Sequence, residues 1–114
     1  MINKSSKQEI LVRGLGASDG IVEGHVKIVY DPSEIDILPE NTILVVPNTD
    51  PTWVPLLVQA KGIITDTGNV LCHAAIVARE FKIPCIVGTM NATQILKDDM
   101  VIKMDGSKGV IYNV

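Results

Sequence analysis

Three features of the sequence predict an α/β domain with a mixed sheet. Short runs rich in Ile and Val recur along the chain, strand–helix alternation fills its middle, and strand-like segments crowd both ends. A chain of 114 residues has room for one domain with a single modest core. Hydrophobic residues at 46% against 20% charged argue against disorder, and only 4% aromatics leave Ile, Val, Leu and Ala to build that core.

The first nine residues, MINKSSKQE, are polar and expected to fray, so the folded domain is expected over 10–114. EILVRG and IVEGHVKIVY read as strands, the second alternating Val22, Gly24, Val26 and Ile28 against Glu23, His25 and Lys27. Between them GLGASDG reads as a turn-rich connector. Its glycines at 14, 16 and 20 precede a strand rather than a helix, which rules out a dinucleotide-binding reading.

DPSEIDILPEN is a connector with prolines at both ends, and TILVVP has the unbroken apolar character of a strand buried on both faces. NTDPTWVPLLVQA offers Asp50 as an N-cap with Pro51 just inside it, then an apolar helix expected to run through Ala60. KGIITD is a further strand. After the Gly68-Asn69 loop a helix is expected from His73 to Phe81, stopped by Pro84. PCIVG is a strand, and MNATQILKDD a short helix with Asn91 as its cap. MVIKM and GVIYNV form a closing hairpin around DGSKG.

The same sequence narrows function. Lys+Arg 10 against Asp+Glu 13, with no basic tract, gives no footing for nucleic acid. No apolar run reaches the roughly 18 residues of a membrane span. The polar N-terminus has no signal-peptide character, and the two cysteines, Cys72 and Cys85, define no disulfide framework. A cytoplasmic domain with no nucleic-acid or membrane partner is expected.

His73 is the chemically suggestive residue. At a helix N-terminus the unpaired N–H groups and the positive end of the dipole favour a neutral, nucleophilic ring and welcome an anion beside it. Both properties suit a histidine that takes up and releases a phosphoryl group. Ala74 and Ala75 leave room for a bulky partner, Gly68 and Asn69 supply a flexible loop, and the Asn69 amide is a candidate donor to the transferred group. A histidine at a helix end is also commonly structural. Cys72 reads as a nucleophile stabilised by the helix end or, more simply, as a small semi-apolar residue. His25, Cys72, His73 and Cys85 lack chelating spacing, so no metal site is expected, and His25 is expected on a solvated face.

The segment GNVLCHAAIVAREFKIPCIVG resembles the phosphohistidine segment of the phosphoenolpyruvate-utilising enzymes, which include phosphoenolpyruvate synthase, pyruvate phosphate dikinase, enzyme I of the sugar phosphotransferase system and rifampicin phosphotransferase. The matching positions are Gly68, Cys72, His73, Ala74, Ala75, Ile76, Arg79, Glu80, Ile83, Pro84 and Gly88. GLGASDGIVEGHV, ILVVPNTDPTWVPLL and MVIKMDGSKGVIY resemble further family segments, so the likeness covers nearly all of 10–114.

The resemblance implies a three-layer β/β/α swivelling domain, with a mixed sheet, that carries phosphate on His73. The implied partners are an ATP-grasp-like nucleotide-binding domain or subunit, which would hold ATP and Mg, and a barrel that handles phosphoenolpyruvate and pyruvate or another acceptor. The domain itself is expected to bind no cofactor. Asn69, Leu71 and Asp19 depart from the family pattern, which usually has a small residue, often a threonine and a proline at those places. Arg79 lies six residues after His73 and projects from another face of the helix, so Arg79 and Glu80 are expected in structural or docking roles. The chain is too short to include a nucleotide-binding domain or a barrel of about 250 residues. Met1 and the short polar lead point to a free-standing carrier rather than a fragment. A non-catalytic docking or regulatory module is the alternative, and a thiol switch at Cys72 a third.

Overall fold

The structure, a computed structural model, describes residues 9–114, so the polar lead of residues 1–9 falls outside it apart from Glu9. The Glu9 carbonyl accepts from the Asn113 amide at 2.8 Å. Eight strands form one mixed sheet: β1 (Ile10–Arg13), β2 (Leu15–Ser18), β3 (Ile21–Ile28), β4 (Thr42–Val46), β5 (Gly62–Thr65), β6 (Cys85–Val87), β7 (Val101–Asp105) and β8 (Val110–Asn113). Their order is β1-β8-β7-β3-β4-β5-β6-β2. Strands β3 to β6 run parallel in sequence order, while β7, β8, β1 and β2 join antiparallel.

The two ends of that order, β1 and β2, are separated in sequence by Gly14 alone. The sheet therefore has to curl until its ends meet. At the meeting point the Gly14 amide donates to the Gly109 carbonyl at 2.8 Å, and a Cβ on Gly14 would sit 2.7 Å from the Val87 carbonyl. A side chain at position 14 would hold the seam apart. This closure corrects the expectation that GLGASDG is only a connector. Leu15–Ser18 is a strand, and pairing with β6 overrides the turn character of its glycines.

Curling divides the side chains between two cores. Ile43 and Val45 of β4 enter an inner core with Ile64, Ile86, Ile102, Met104 and Ile111. Leu44 and Val46 of the same strand face outward onto the helices, with Ile63, Cys85 and Val87. All five residues of β4 are buried, as an unbroken apolar strand requires. Each of these fully buried aliphatic side chains contributes about 1.5–3 kcal/mol. Helix α3 (Ala92–Ile95) plugs the curled sheet with Ala92 and Leu96, while α1 (Val54–Leu57) and α2 (His73–Phe81) cover the outer face. The layers are thus β, β and α.

Three details differ from the sequence reading. Asp50 caps a 3-10 turn, Pro51–Trp53, that leads into α1, and the regular helix ends at Leu57 with turns carrying on to Ala60. Asn91 makes no side-chain cap of α3. The Thr89 hydroxyl accepts from the Ala92 amide at 3.2 Å in its place. Finally, His25 is half-buried, with its Nε2 3.3 Å from the Thr42 hydroxyl, rather than on an open face. Helix α2 has the expected bounds. Lys82 ends it in the left-handed conformation (φ 59°), and the Ile83 amide bonds back to the Ala78 carbonyl at 2.8 Å.

Candidate functional site

The loops that follow β4 and β5 leave the carboxyl ends of adjacent parallel strands, the usual place for a ligand site in an α/β sheet. The loop after β5 is tied down residue by residue. The Asp66 carboxylate accepts from the Thr93 amide (3.0 Å) and hydroxyl (2.6 Å). The Thr67 amide and hydroxyl both donate to the Pro47 carbonyl at 3.1 Å, which joins this loop to the one after β4. Gly68 then turns through φ 101°, and a Cβ there would lie 2.8 Å from the Cys72 sulfur. Asn69 Oδ1 accepts from the Leu71 amide at 2.8 Å, and the Asn69 carbonyl accepts from the Cys72 amide at 3.0 Å. Because Oδ1 is used inside the loop, only the Asn69 NH2 group is left to donate outward.

These turns deliver His73 to the first position of α2. Cys72 occupies the cap position with no side-chain bond to the helix, and the Ile76 amide is the first to find an intrahelical acceptor, the Cys72 carbonyl at 3.1 Å. The amides of residues 73–75 have no intrahelical acceptor, so the helix entrance keeps its capacity for an anion. Ala74 and Ala75 are buried against the outer core, and their small side chains seat the helix start close to the sheet.

A cavity of about 50 Å³ opens beside the histidine, walled by Asn48, Thr49, Thr65, Thr67, Gly68, Cys72, His73 and Ala74. Its wall is rich in hydroxyls, and one of them fixes the ring: Thr49 Oγ1 lies 3.3 Å from His73 Nδ1. With Nδ1 engaged by the hydroxyl, Nε2 is the nitrogen left for another partner. The exposed Asp50 carboxylate stands next in sequence. Hydrogen bonds from the Thr52 hydroxyl and amide hold it below its ordinary range.

The sequence-selected residues separate into two places. Gly68, Asn69, Cys72, His73, Ala74 and Ala75 build one site. Arg79 and Glu80 lie elsewhere: Arg79 Nη1 donates to the Ala17 carbonyl on β2 at 3.0 Å, and the Glu80 side chain is exposed. Cys72 is partly exposed, whereas Cys85 is buried and its thiol is pushed up to about 12 by burial. Among the described residues no group of three or more His, Cys, Asp or Glu is arranged to hold a metal, and no helix is long and apolar enough to cross a membrane. Thr49, Thr65, Thr67 and Asn48 escaped the sequence reading as site residues. The available signal was a Thr directly before the capping Asp50, three residues beyond the end of a fully buried strand.

The family model described as "PEP-utilising enzyme, mobile domain" matches residues 38–109. The chain is 52% identical over 105 residues to the probable phosphoenolpyruvate synthase of Methanothermobacter thermautotrophicus, covering 92% of this chain and 15% of that protein. It is 48% identical over 104 residues to the phosphoenolpyruvate synthase of Pyrococcus furiosus, covering 91% and 13% respectively. The uncharacterized phosphotransferase YvkC of Bacillus subtilis is 44% identical over 111 residues, covering 97% and 13%. The chain thus spans about 15% of the length of such relatives. Among solved structures, an Enzyme I protein determined by NMR superimposes with a TM-score of 0.57 at 26% identity, over 73% of this chain and 34% of that one. Aconitase X of Thermococcus kodakaraensis shares the fold, with a TM-score of 0.66 at 20% identity over 90% of this chain and 97% of that one.

Proposed function

The chain belongs to the mobile-domain family of the phosphoenolpyruvate-utilising enzymes, and from that premise we propose that it is a cytoplasmic phosphoryl carrier that works through Nε2 of His73. The observation that carries this reading is the contact of His73 Nδ1 with the Thr49 hydroxyl, at the mouth of a hydroxyl-lined cavity and a helix entrance. A proton on Nδ1, shared with Thr49, places the free lone pair on Nε2.

In the first step that lone pair attacks the phosphorus of a donor. An N–P bond forms, and the P–O bond to the leaving oxygen breaks with its electron pair going to that oxygen. The ring, still protonated on Nδ1, carries a positive charge that the added phosphoryl oxygens balance. In the second step an acceptor oxygen attacks the same phosphorus, and the N–P bond breaks with its pair returning to Nε2. Splitting the transfer in this way lets donor and acceptor sites stand apart. The amides of residues 73–75, the Thr49 hydroxyl and the Asn69 NH2 group are the donors nearest to hand for the phosphoryl oxygens.

Among the described residues no nucleotide site or acceptor site is built. In this reading they belong to partner domains or subunits: an ATP-grasp-like module that holds ATP and Mg, and a barrel that handles phosphoenolpyruvate and pyruvate or another acceptor. Gly68, Asn69, Cys72, Ala74 and Ala75 shape the phosphate loop, while Arg79 and Glu80 take no part in the chemistry.

Intact mass, recorded at neutral to alkaline pH after incubation with phosphoenolpyruvate or with ATP and Mg in lysate from the chain's own source, tests the proposal. One added phosphate is expected, removed by mild acid and missing in His73→Ala. Unchanged mass in lysate that is active towards phosphoenolpyruvate would overturn the carrier reading and leave a docking role.

A further inference from the structure

A second cavity lies at the other end of α2, about 9 Å along the helix axis from His73 for the six residues that separate Arg79 from it. Its volume is about 330 Å³, and Ala17, Ser18, Asp19, Arg79 and Lys82 line it. We propose that this notch binds a small phosphate ester that also carries a hydroxyl group.

The cationic wall is fixed in place. Arg79 Nη1 is spent on the Ala17 carbonyl, which pins the guanidinium against β2 and leaves its remaining N–H groups for a ligand. Lys82 starts from a backbone locked by the left-handed helix end. Helix C-terminal carbonyls repel anions, but two of those nearest the notch are already occupied. The Lys82 amide points to the Arg79 carbonyl at 3.3 Å, and the Ile83 amide to that of Ala78 at 2.8 Å.

Ser18 supplies a separate indication. Ser18 is buried, with only 6% of the residue exposed, and it lines the cavity. A hydroxyl at such a position can donate to a ligand oxygen. Asp19 also lines the notch. One of its carboxylate oxygens accepts from the Ser107 hydroxyl at 3.2 Å, and the other is left to accept from a ligand. That carboxylate repels a bare anion and rewards a hydroxyl. A phosphate on Arg79, Lys82 and Ser18 with a hydroxyl on Asp19 engages the charged and hydroxyl side chains of the lining, and about 330 Å³ leaves room for a small ester.

The test is an NMR titration of the 15N-labelled chain with glucose 6-phosphate as probe, with inorganic phosphate and glucose run separately. Saturable shifts are expected at Ser18, Asp19, Arg79 and Lys82, with a Kd of about 1 mM or tighter. Lys82→Asn removes one cation yet suits the left-handed backbone, and it should weaken binding about fivefold. Inorganic phosphate should bind more weakly than the ester, and glucose not at all. No saturation by about 20 mM ester, or unchanged affinity in Lys82→Asn, would overturn the site. Equal affinity for inorganic phosphate and the ester would overturn the assignment to a hydroxylated ligand. His73 lies outside the notch, so His73→Ala should bind the ester as wild type does, which keeps this result separate from the carrier test.

Discussion

Thr49 Oγ1 stands 3.3 Å from Nδ1 of His73, across 24 residues of sequence. Thr49→Val keeps the shape and removes the hydroxyl. The initial rate of phosphohistidine formation should fall by roughly 3–10-fold, the worth of one ordinary hydrogen bond. Thr49→Ser should restore most of it. Rates followed by intact mass across pH 6–9 check this, and a Thr49→Val protein as fast as wild type throughout would remove Thr49 from the mechanism.

The two thiols should react very differently. Cys72 is partly exposed and Cys85 is wholly buried, so iodoacetamide at pH 8 should label Cys72 and spare Cys85 in the folded chain. Peptide mapping after short exposures reads this directly.

Cys85 also sets an alkaline limit on stability. Its thiol is raised from an ordinary 9.0 to about 12 in the folded chain. Below pH 9 both states keep the proton, and nothing is gained or lost. Above pH 9 the unfolded chain ionises Cys85 while the folded chain does not, so stability falls as pH rises. Between pH 7.5 and 10 the loss attributable to this thiol is about 1 kcal/mol. Urea unfolding under reducing conditions should show wild type losing about that much more than Cys85→Ala over the same interval. Parallel losses in the two proteins would contradict the assignment.

Arg79 and Glu80 are neighbours with unequal roles. Arg79→Gln forfeits the bond to the Ala17 carbonyl and should cost about 1–2 kcal/mol, after discounting for exposure. Glu80→Gln, at an exposed position, should stay within about 0.5 kcal/mol. Chemical denaturation of the two variants compares them.

Gly68 holds a backbone angle, φ 101°, that other residues rarely adopt. Gly68→Ala should destabilise the chain by about 1–3 kcal/mol. In a Cys72→Ala background the contact with sulfur disappears but the dihedral strain stays, so most of the loss should persist. Full recovery would locate the cost in the sulfur contact alone.

Much of this protein was determined by local sequence. The bounds of α2, the doubly buried β4 and the β7–β8 hairpin follow from short-range patterns: four buried residues on one helix face, an unbroken apolar run, and a turn rich in Gly and Ser. His73 was legible because a titratable ring at a helix entrance is a local property, and the motif around it resembles the family to which the chain belongs. Tertiary structure decided what depends on residues far apart in the chain. The strand at Leu15–Ser18 exists because the curled sheet offers β6 as a partner, which no propensity of LGAS announces. Thr49 became the partner of His73 because β4 and β5 lie side by side and bring their two following loops together. Thr89 displaced Asn91 as the cap of α3, and Arg79 found its acceptor on β2, 62 residues away. Local periodicity records which face of an element is apolar. Which hydroxyl meets which ring is decided only when the faces pack.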